Sequence, residues 1–220
     1  MPAALTFTTL QTNLVAYLER GNSLDTTVAA LLPTLINQAE RRISRELKVL
    51  GFVQSVQSSM ATGQWTIAKP DRWRQTISIN FGNGIGSTGI ANTLWNPIYP
   101  RSLEYVRSYN QDVTLLSPPK FYADYTYQNW AIAPTPDQAY PFEVVYYEMP
   151  PLLDATNQTN WITQYAPELL TYASLLECEP FLKNDERIPV WQAMFDRTKA
   201  ALNQEDQNKI LDRQVTRQDA

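Results

Sequence analysis

The sequence predicts an α+β fold: a helical bundle formed by N- and C-terminal helices, with an inserted small antiparallel β-region and an extended C-terminal tail. Three observations predict it. Apolar residues recur at helical spacing before residue 50 and again after residue 151, the stretch between them alternates at period two, and beyond Asn203 only Ile210, Leu211 and Val215 are apolar apart from alanine. The expected organisation is residues 1–50 as N-terminal helices, 51–150 as the β-rich insertion, 151–202 as C-terminal helices and 203–220 as a docking tail.

In order along the chain, Leu10, Leu14, Tyr17 and Leu18 form one helical stripe after the capping candidates Thr8 and Thr9, and Gly21 supplies a stop. Pro33 is expected to open a second helix, after a short helical turn within 24–32. Its apolar stripe is Leu35, Ile36, Ala39, Ile43 and Leu47, with Glu40, Arg41, Arg42, Arg45, Glu46 and Lys48 on the remaining surface. From Gly51 the pattern becomes that of strands: Val53, Trp65 to Ile67 and Ile77 to Phe81, separated by Thr62-Gly63 and Pro70-Asp71 turns. Residues 90–119 lack clear periodicity, with a possible short helix over Ser102 to Tyr109. Strands return at Phe121 to Tyr127, Trp130 to Ala133 and Phe142 to Glu148, and the Pro134-Thr135-Pro136-Asp137 turn is expected to join its flanking strands as a hairpin-like pair. After Pro150-Pro151, Asn160 caps a short helix, Pro167 opens a longer one that Pro180 ends, and Asn184 or Asp185 caps a last helix carrying Ile188, Trp191, Phe195, Thr198 and Leu202. The remainder, Asn203 to Ala220, is too polar to bury a full stripe and is expected to fray or to dock on a partner.

Composition narrows the function. The chain of 220 residues is 44% hydrophobic and 18% charged, enough apolar content for one large domain or two small ones. Histidine is absent, which removes Ser/His and Cys/His catalysis and imidazole metal ligation. Cys178 is the single cysteine, so no intrachain disulfide or thiolate zinc site is expected, and Cys178 reads as a buried apolar side chain. No window suits a membrane span or a secretory leader, and the chain is expected to remain soluble where it is made. Charge is unevenly distributed. Residues 1–120 carry eleven basic and seven acidic groups, residues 121–182 carry none and eight, and residues 183–220 carry seven of each. The acidic middle block would repel nucleic-acid phosphates, which argues against a sequence-specific DNA reader.

The motifs favour surfaces over chemistry. Gly84-Ile85-Gly86-Ser87-Thr88-Gly89 has the spacing of a dinucleotide loop, but prolines at 97 and 100 stand where the following helix should be, so it reads as a glycine-rich strand connection without a cofactor. Glu143 and Glu148 differ by an odd number of positions, so on a regular strand they face opposite ways and cannot flank one glycosidic bond. Tyr122, Tyr125, Tyr127, Trp130, Tyr140, Tyr146 and Tyr147 crowd the acidic block, either as a sheet core or as an interface. Arg41, Arg42, Arg45 and Lys48 suit a solvated helix face or a subunit contact better than a nucleic-acid patch.

Three segments, taken together and in order, resemble the head-to-tail adaptor (connector, neck) proteins of tailed bacteriophages. They are Leu31 to Leu47 (LLPTLINQAERRISREL), Pro150 to Leu153 (PPLL) and Pro167 to Lys183 (PELLTYASLLECEPFLK), with a last helix from Trp191 to Leu202 in the matching place. The resemblance implies a non-enzymatic structural subunit, usually assembled as a dodecameric ring beneath the portal protein and forming part of the DNA conduit. It implies no cofactor or metal, no membrane, non-specific passage of double-stranded DNA, assembly in the host cytoplasm and a final place in the virion neck. A C-terminal extension commonly grips the portal, which here points to Ile210, Leu211, Arg213 and Val215. Loops of the β-part commonly seat the next tail or nozzle component, which points to Gly82, Asn83, Gly84, Ile85 and Gly86. The subunit contact is expected to bring Arg41, Arg42 and Arg45 against acids such as Glu177 and Glu179. Two rival readings are a carbohydrate-binding virion or tail module with an aromatic-rich β-face and, behind it, a carboxylate-dependent glycosidase.

Overall fold

The computed structural model describes residues 5–18, 26–82, 95–181 and 186–215. The chain divides into two units, one comprising Met1–Phe52 with Met149–Ala220 and the other Val53–Glu148.

The first unit is helical. Helix α1 (Phe7–Tyr17) begins at Thr6, not at Thr8 or Thr9: the Thr6 hydroxyl accepts from the Thr9 amide while the Thr9 hydroxyl accepts from the Thr6 amide, a reciprocal cap. Helix α2 runs unbroken from Thr26 to Glu46 with Pro33 inside it, so Pro33 does not start the helix as the sequence suggested. Pro33 has no N–H and so removes one i→i−4 helical hydrogen bond, and burial of Leu32, Leu35, Ile36, Ala39 and Ile43 offsets that loss. Helices α4 (Trp161–Tyr165) and α5 (Pro167–Glu177) follow, α4 capped by Asn160 and α5 opened by Pro167 as expected. Helix α5 is buried on most of its surface through Leu169, Leu170, Ala173, Leu175 and Leu176, because it packs against α1, α2, α4 and α6 (Ile188–Val215). Cys178, just past α5, is buried, and burial followed by the charge of Glu177 pushes its thiol up to about 11, consistent with an inert packing residue. The capping candidates Asn184 and Asp185, like Gly21, lie outside the described residues.

Two local features hold this unit together. Gly51 lies against the Trp161 indole, and a Cβ there would overlap Trp161 Cε2. Trp161 is itself held edge-on to Phe52 at 5.2 Å and stacked on Tyr165 at 5.5 Å. Gly51→Ala is therefore expected to destabilise the protein by about 1–3 kcal/mol, the usual cost of overpacking, read as a lower urea midpoint with unchanged slope. The second feature is Glu40, which the sequence places on the solvated face of α2 but which is only 2% exposed. Its carboxylate accepts the Leu153 amide at 3.0 Å and the Asn160 side-chain amide at 2.5 Å. The Asn37 amide N–H₂, facing the same carboxylate, donates to Glu40 Oε2 at 3.1 Å and to Leu153 O at 3.0 Å. A single buried acid thus ties α2 to the segment that enters α4.

The second unit overturns the expected fold class. The chain is a mixed α+β protein with a seven-stranded curled sheet, not a helical bundle carrying a small inserted β-region. The strands are β1 (Val53–Ser59), β2 (Thr66–Ala68), β3 (Trp73–Gly82), β4 (Trp95–Pro100), β5 (Phe121–Asp124), β6 (Asn129–Ala133) and β7 (Pro141–Glu148). Their order is β1-β7-β3-β4-β5-β6-β2. Six of these strands lie where the sequence places strands; β4, with Pro97 and Pro100, does not read as a strand, yet it is the one that joins the two groups into one sheet. It tolerates its prolines because each is laddered on one side only: Pro97 opposite Asn80 of β3, and Pro100 opposite Tyr122 of β5. Strands β6 and β7 do not form the expected hairpin, since β6 pairs with β5 and β2 while β7 pairs with β1 and β3. Helix α3 (Leu103–Tyr109), capped by Ser102, packs against β5 and β6.

The sheet has its own core. Met60, Ile79, Phe81, Tyr122, Trp130, Ile132, Tyr140, Phe142, Val144 and Tyr146 form one buried cluster. Lys69 is threaded into its margin with a 3% exposed side chain: Nζ lies 2.6 Å from Asp124 Oδ1 and 3.6 Å from the Trp73 ring centroid. The extended tail expected beyond Asn203 is instead helical, α6 continuing to Val215, and the Asp206 carboxylate accepts the Leu50 amide at 2.6 Å.

Candidate functional surfaces

The expected subunit-contact residues lie together on the helical unit. Arg42, on α2, is already engaged within the chain: Nε is 3.0 Å from Glu46 Oε1, Nη1 is 3.5 Å from Glu177 Oε1, and the guanidinium carbon lies 4.8 Å from the Phe195 ring centroid. Lys199 of α6 reaches Glu46 Oε2 at 2.5 Å. Burial pushes the Glu46 carboxyl up, but hydrogen bonds and charge from Lys199 and Arg42 outweigh it and hold the group below the ordinary glutamate range. Arg42, Glu46, Glu177 and Lys199 therefore form an internal network across α2, α5 and α6.

Arg41 and Arg45 differ. Both are exposed, and neither makes an ion pair with a described residue. Four residues apart on α2, they border an open groove of about 430 Å³ together with Gln38, Arg42, Glu46 and Glu177. Glu179 is exposed just beyond α5. The sequence names all five residues but cannot separate the internally paired Arg42 and Glu177 from Arg41 and Arg45, because Arg42 and Glu177 are 135 residues apart in the chain.

The other expected site residues fall as follows. Ile210, Leu211, Arg213 and Val215 lie on the helical backbone of α6. Gly82 ends β3, whereas Asn83, Gly84, Ile85 and Gly86, with the rest of the glycine-rich motif, lie outside the described residues. The aromatic cluster is mainly core: Tyr122, Trp130, Tyr140 and Tyr146 are buried, while Tyr127 is 80% exposed and Tyr125 is 37% exposed. Burial takes Trp130 out of the aromatic-rich face that the carbohydrate reading invokes, leaving Tyr125 and Tyr127 exposed on it. Glu148 is bonded by Arg72 at 2.7 Å, and Glu143 lies on the other face of β7. No helix among the described residues is long and apolar enough to cross a membrane.

Among the described residues the helical unit presents the exposed cations Arg41 and Arg45, and the other unit is a seven-stranded sheet. The sequence matches the SU10 adaptor protein family over residues 5–218, and the chain belongs to that family. It is accordingly a phage adaptor, a structural component of the virion. No curated protein matches the chain.

Proposed function

We propose that this adaptor assembles as a dodecameric ring between the portal protein and a tail or nozzle component, lining part of the DNA conduit in the virion neck. The family match from residue 5 to residue 218 carries this reading. The internal network supports it by fixing the α2 surface, so that Arg41 and Arg45 are presented in a defined register to acids of the next copy, Glu179 among them. Contacts of this kind are heterologous, one face of each copy meeting a different face of its neighbour, as ring closure requires. The segment Gly82 to Gly86 would seat the tail component, and Ile210, Leu211, Arg213 and Val215 would meet the portal. Asp124, Asp137, Glu143, Glu148, Asp154 and Glu168 would keep DNA from adhering while it slides past, provided they face the channel.

The ring contact has a direct test. Arg41→Glu with Arg45→Glu is expected to weaken subunit association at least tenfold, since each reversal places like charges together. Native mass spectrometry of the protein mixed with portal should show the ring lost and the monomer fold intact, and Glu179→Arg should restore part of the assembly. A full ring from the doubly reversed protein would refute the contact.

A further inference from the structure

Strand β1 ends the sheet: it stands first in the strand order, and β7 is its one neighbour. Its register on β7 runs without a bulge from Val53 to Ser59, which leaves an even edge of seven residues. Natural edges of this length are usually guarded by a lysine, a proline or a bulge, and VQSVQSS has none of them.

The ladder shows which backbone groups are left over. Met60 N donates to Tyr140 O at 2.8 Å, one step beyond the Ser59–Pro141 pair, so the even-numbered residues of β1 bond β7. The N–H and C=O groups of Val53, Ser55, Gln57 and Ser59 therefore point away from β7, and none of them meets a described partner. Side chains from Gln54 to Ser59 are exposed as well. Donors and acceptors at alternate residues along an extended chain have another strand edge as their complement.

The residues of this edge select the partner. Pairing β1 with β1 of a second copy, antiparallel about a two-fold axis at Val56, overlaps the whole strand. That axis sets Val53 opposite Ser59, Gln54 opposite Ser58, Ser55 opposite Gln57 and Val56 opposite itself. Odd-numbered residues then meet odd-numbered residues, so each outward N–H finds an outward C=O. The even-numbered pairs fall at the non-bonded positions, where side chains lie closest, and Val56, 37% exposed in one copy, is set against its own counterpart. No pair contains a charge. An axis at Ser55 or Gln57 also matches donors to acceptors, but it shortens the overlap to residues 53–57 or 55–59 and places Val56 against Gln54 or Ser58. The longest register is thus also the one that joins the apolar residue to itself. A different polypeptide would have to bring a free edge of its own, whereas every copy of this chain already presents one.

We propose that β1 is a self-association edge, at which two copies of the chain join their sheets by antiparallel pairing centred on Val56. Seven residues a side is well below the roughly 20–30 of a standard interface, so the pairing is weak and depends on concentration. A two-fold contact closes at two copies, so it is separate from the heterologous ring contact, and either can fail without the other.

The test follows the full chain by amide exchange and by cross-linking. Between about 10 µM and about 1 mM protein, the Ser55 and Gln57 amides should slow several-fold, while Gln54 and Ser58, already bonded to β7, change little. Opposed residues of a non-bonded pair have Cα atoms about 4.5 Å apart, within the range of a disulfide. Val56→Cys should therefore oxidise to a covalent dimer at least about tenfold faster than Gln54→Cys, and buried Cys178 does not interfere. Ser55→Pro removes an outward N–H that β7 does not use, and Val56→Lys places two ammonium groups on the axis. Each should abolish the concentration-dependent protection while leaving the melting temperature of the dilute protein within a few degrees. No slowing up to about 1 mM, equal cross-linking at positions 56 and 54, or protection that appears only on adding portal or a tail component would overturn the proposal, the last by assigning the edge to a different polypeptide.

Discussion

Glu40→Ala is expected to lower unfolding free energy by roughly 3–5 kcal/mol, because it strands the Leu153 N–H and the Asn160 and Asn37 amides in a buried site. For a chain of this length that corresponds to a fall in melting temperature of about 10 °C. The wild-type protein should carry a matching pH signature. Burial pushes the Glu40 carboxyl from 4.5 up to about 7, against the opposing pull of the Leu153 amide, the Asn160 amide and the charge of Arg41. The folded state then holds this proton more tightly than the unfolded chain does. Stability from this group is greatest below pH 4.5 and declines as pH rises to about 7, by an amount on the order of 3 kcal/mol. The groups with lowered values, Glu46, Asp112 and Asp154, act below that window, and there is no histidine to act within it. Urea midpoints measured from pH 5 to 7.5 should therefore fall for the wild type and stay nearly flat for Glu40→Gln. A flat wild-type profile would show that Glu40 is ionised throughout.

The same residue shows what one-dimensional pattern reading leaves out. Glu40 sits among Arg41, Arg42 and Arg45 in sequence, and nothing local distinguishes it from a solvated acid; the partners that bury it, Leu153 and Asn160, lie 113 and 120 residues further along. Arg42 and Glu177 are similar, separated by 135 residues and joined only by the packing of α2 on α5. Signals that act over three or four residues were legible. Asn160, Pro167 and Ser102 mark helix starts where the structure has them, because capping is decided by adjacent backbone amides. Thr62-Gly63 marks a turn in which Gly63 has φ of 75°, a conformation that glycine adopts without strain.

Topology was harder than strand location. The sheet was underestimated because β4 is written in residues that argue against a strand, and its role depends on partners rather than on its own propensity. Without it the strands fall into two small groups, which invites the picture of a modest insertion in a helical bundle. Pro33 misled for the opposite reason. Proline is favoured in the first helical turn, but an apolar stripe packed on α5 holds α2 helical on both sides of it.

On the proposed portal contact, removing residues after Asn208 should weaken portal binding at least about 100-fold while leaving the fold intact. Asn203 marks where the sequence turns polar, but a cut there would also remove Asp206, whose carboxylate caps the Leu50 amide at 2.6 Å and ties α6 to the turn before β1. Ending at Asn208 keeps that bond and the Lys199–Glu46 pair, so loss of function could not be ascribed to loosening of the helical unit. The deleted stretch contains Ile210, Leu211 and Val215, the apolar residues of an otherwise polar segment. Burial of even two such side chains on a partner contributes roughly 3–6 kcal/mol, so portal affinity should drop at least about 100-fold. The shortened protein should melt within a few degrees of the parent. Ile210→Asp with Leu211→Asp in the full-length chain should reproduce the binding loss by removing the apolar contact alone. Unchanged portal affinity in both variants would move the docking surface elsewhere on the adaptor, with the Arg41 and Arg45 groove the next surface to examine.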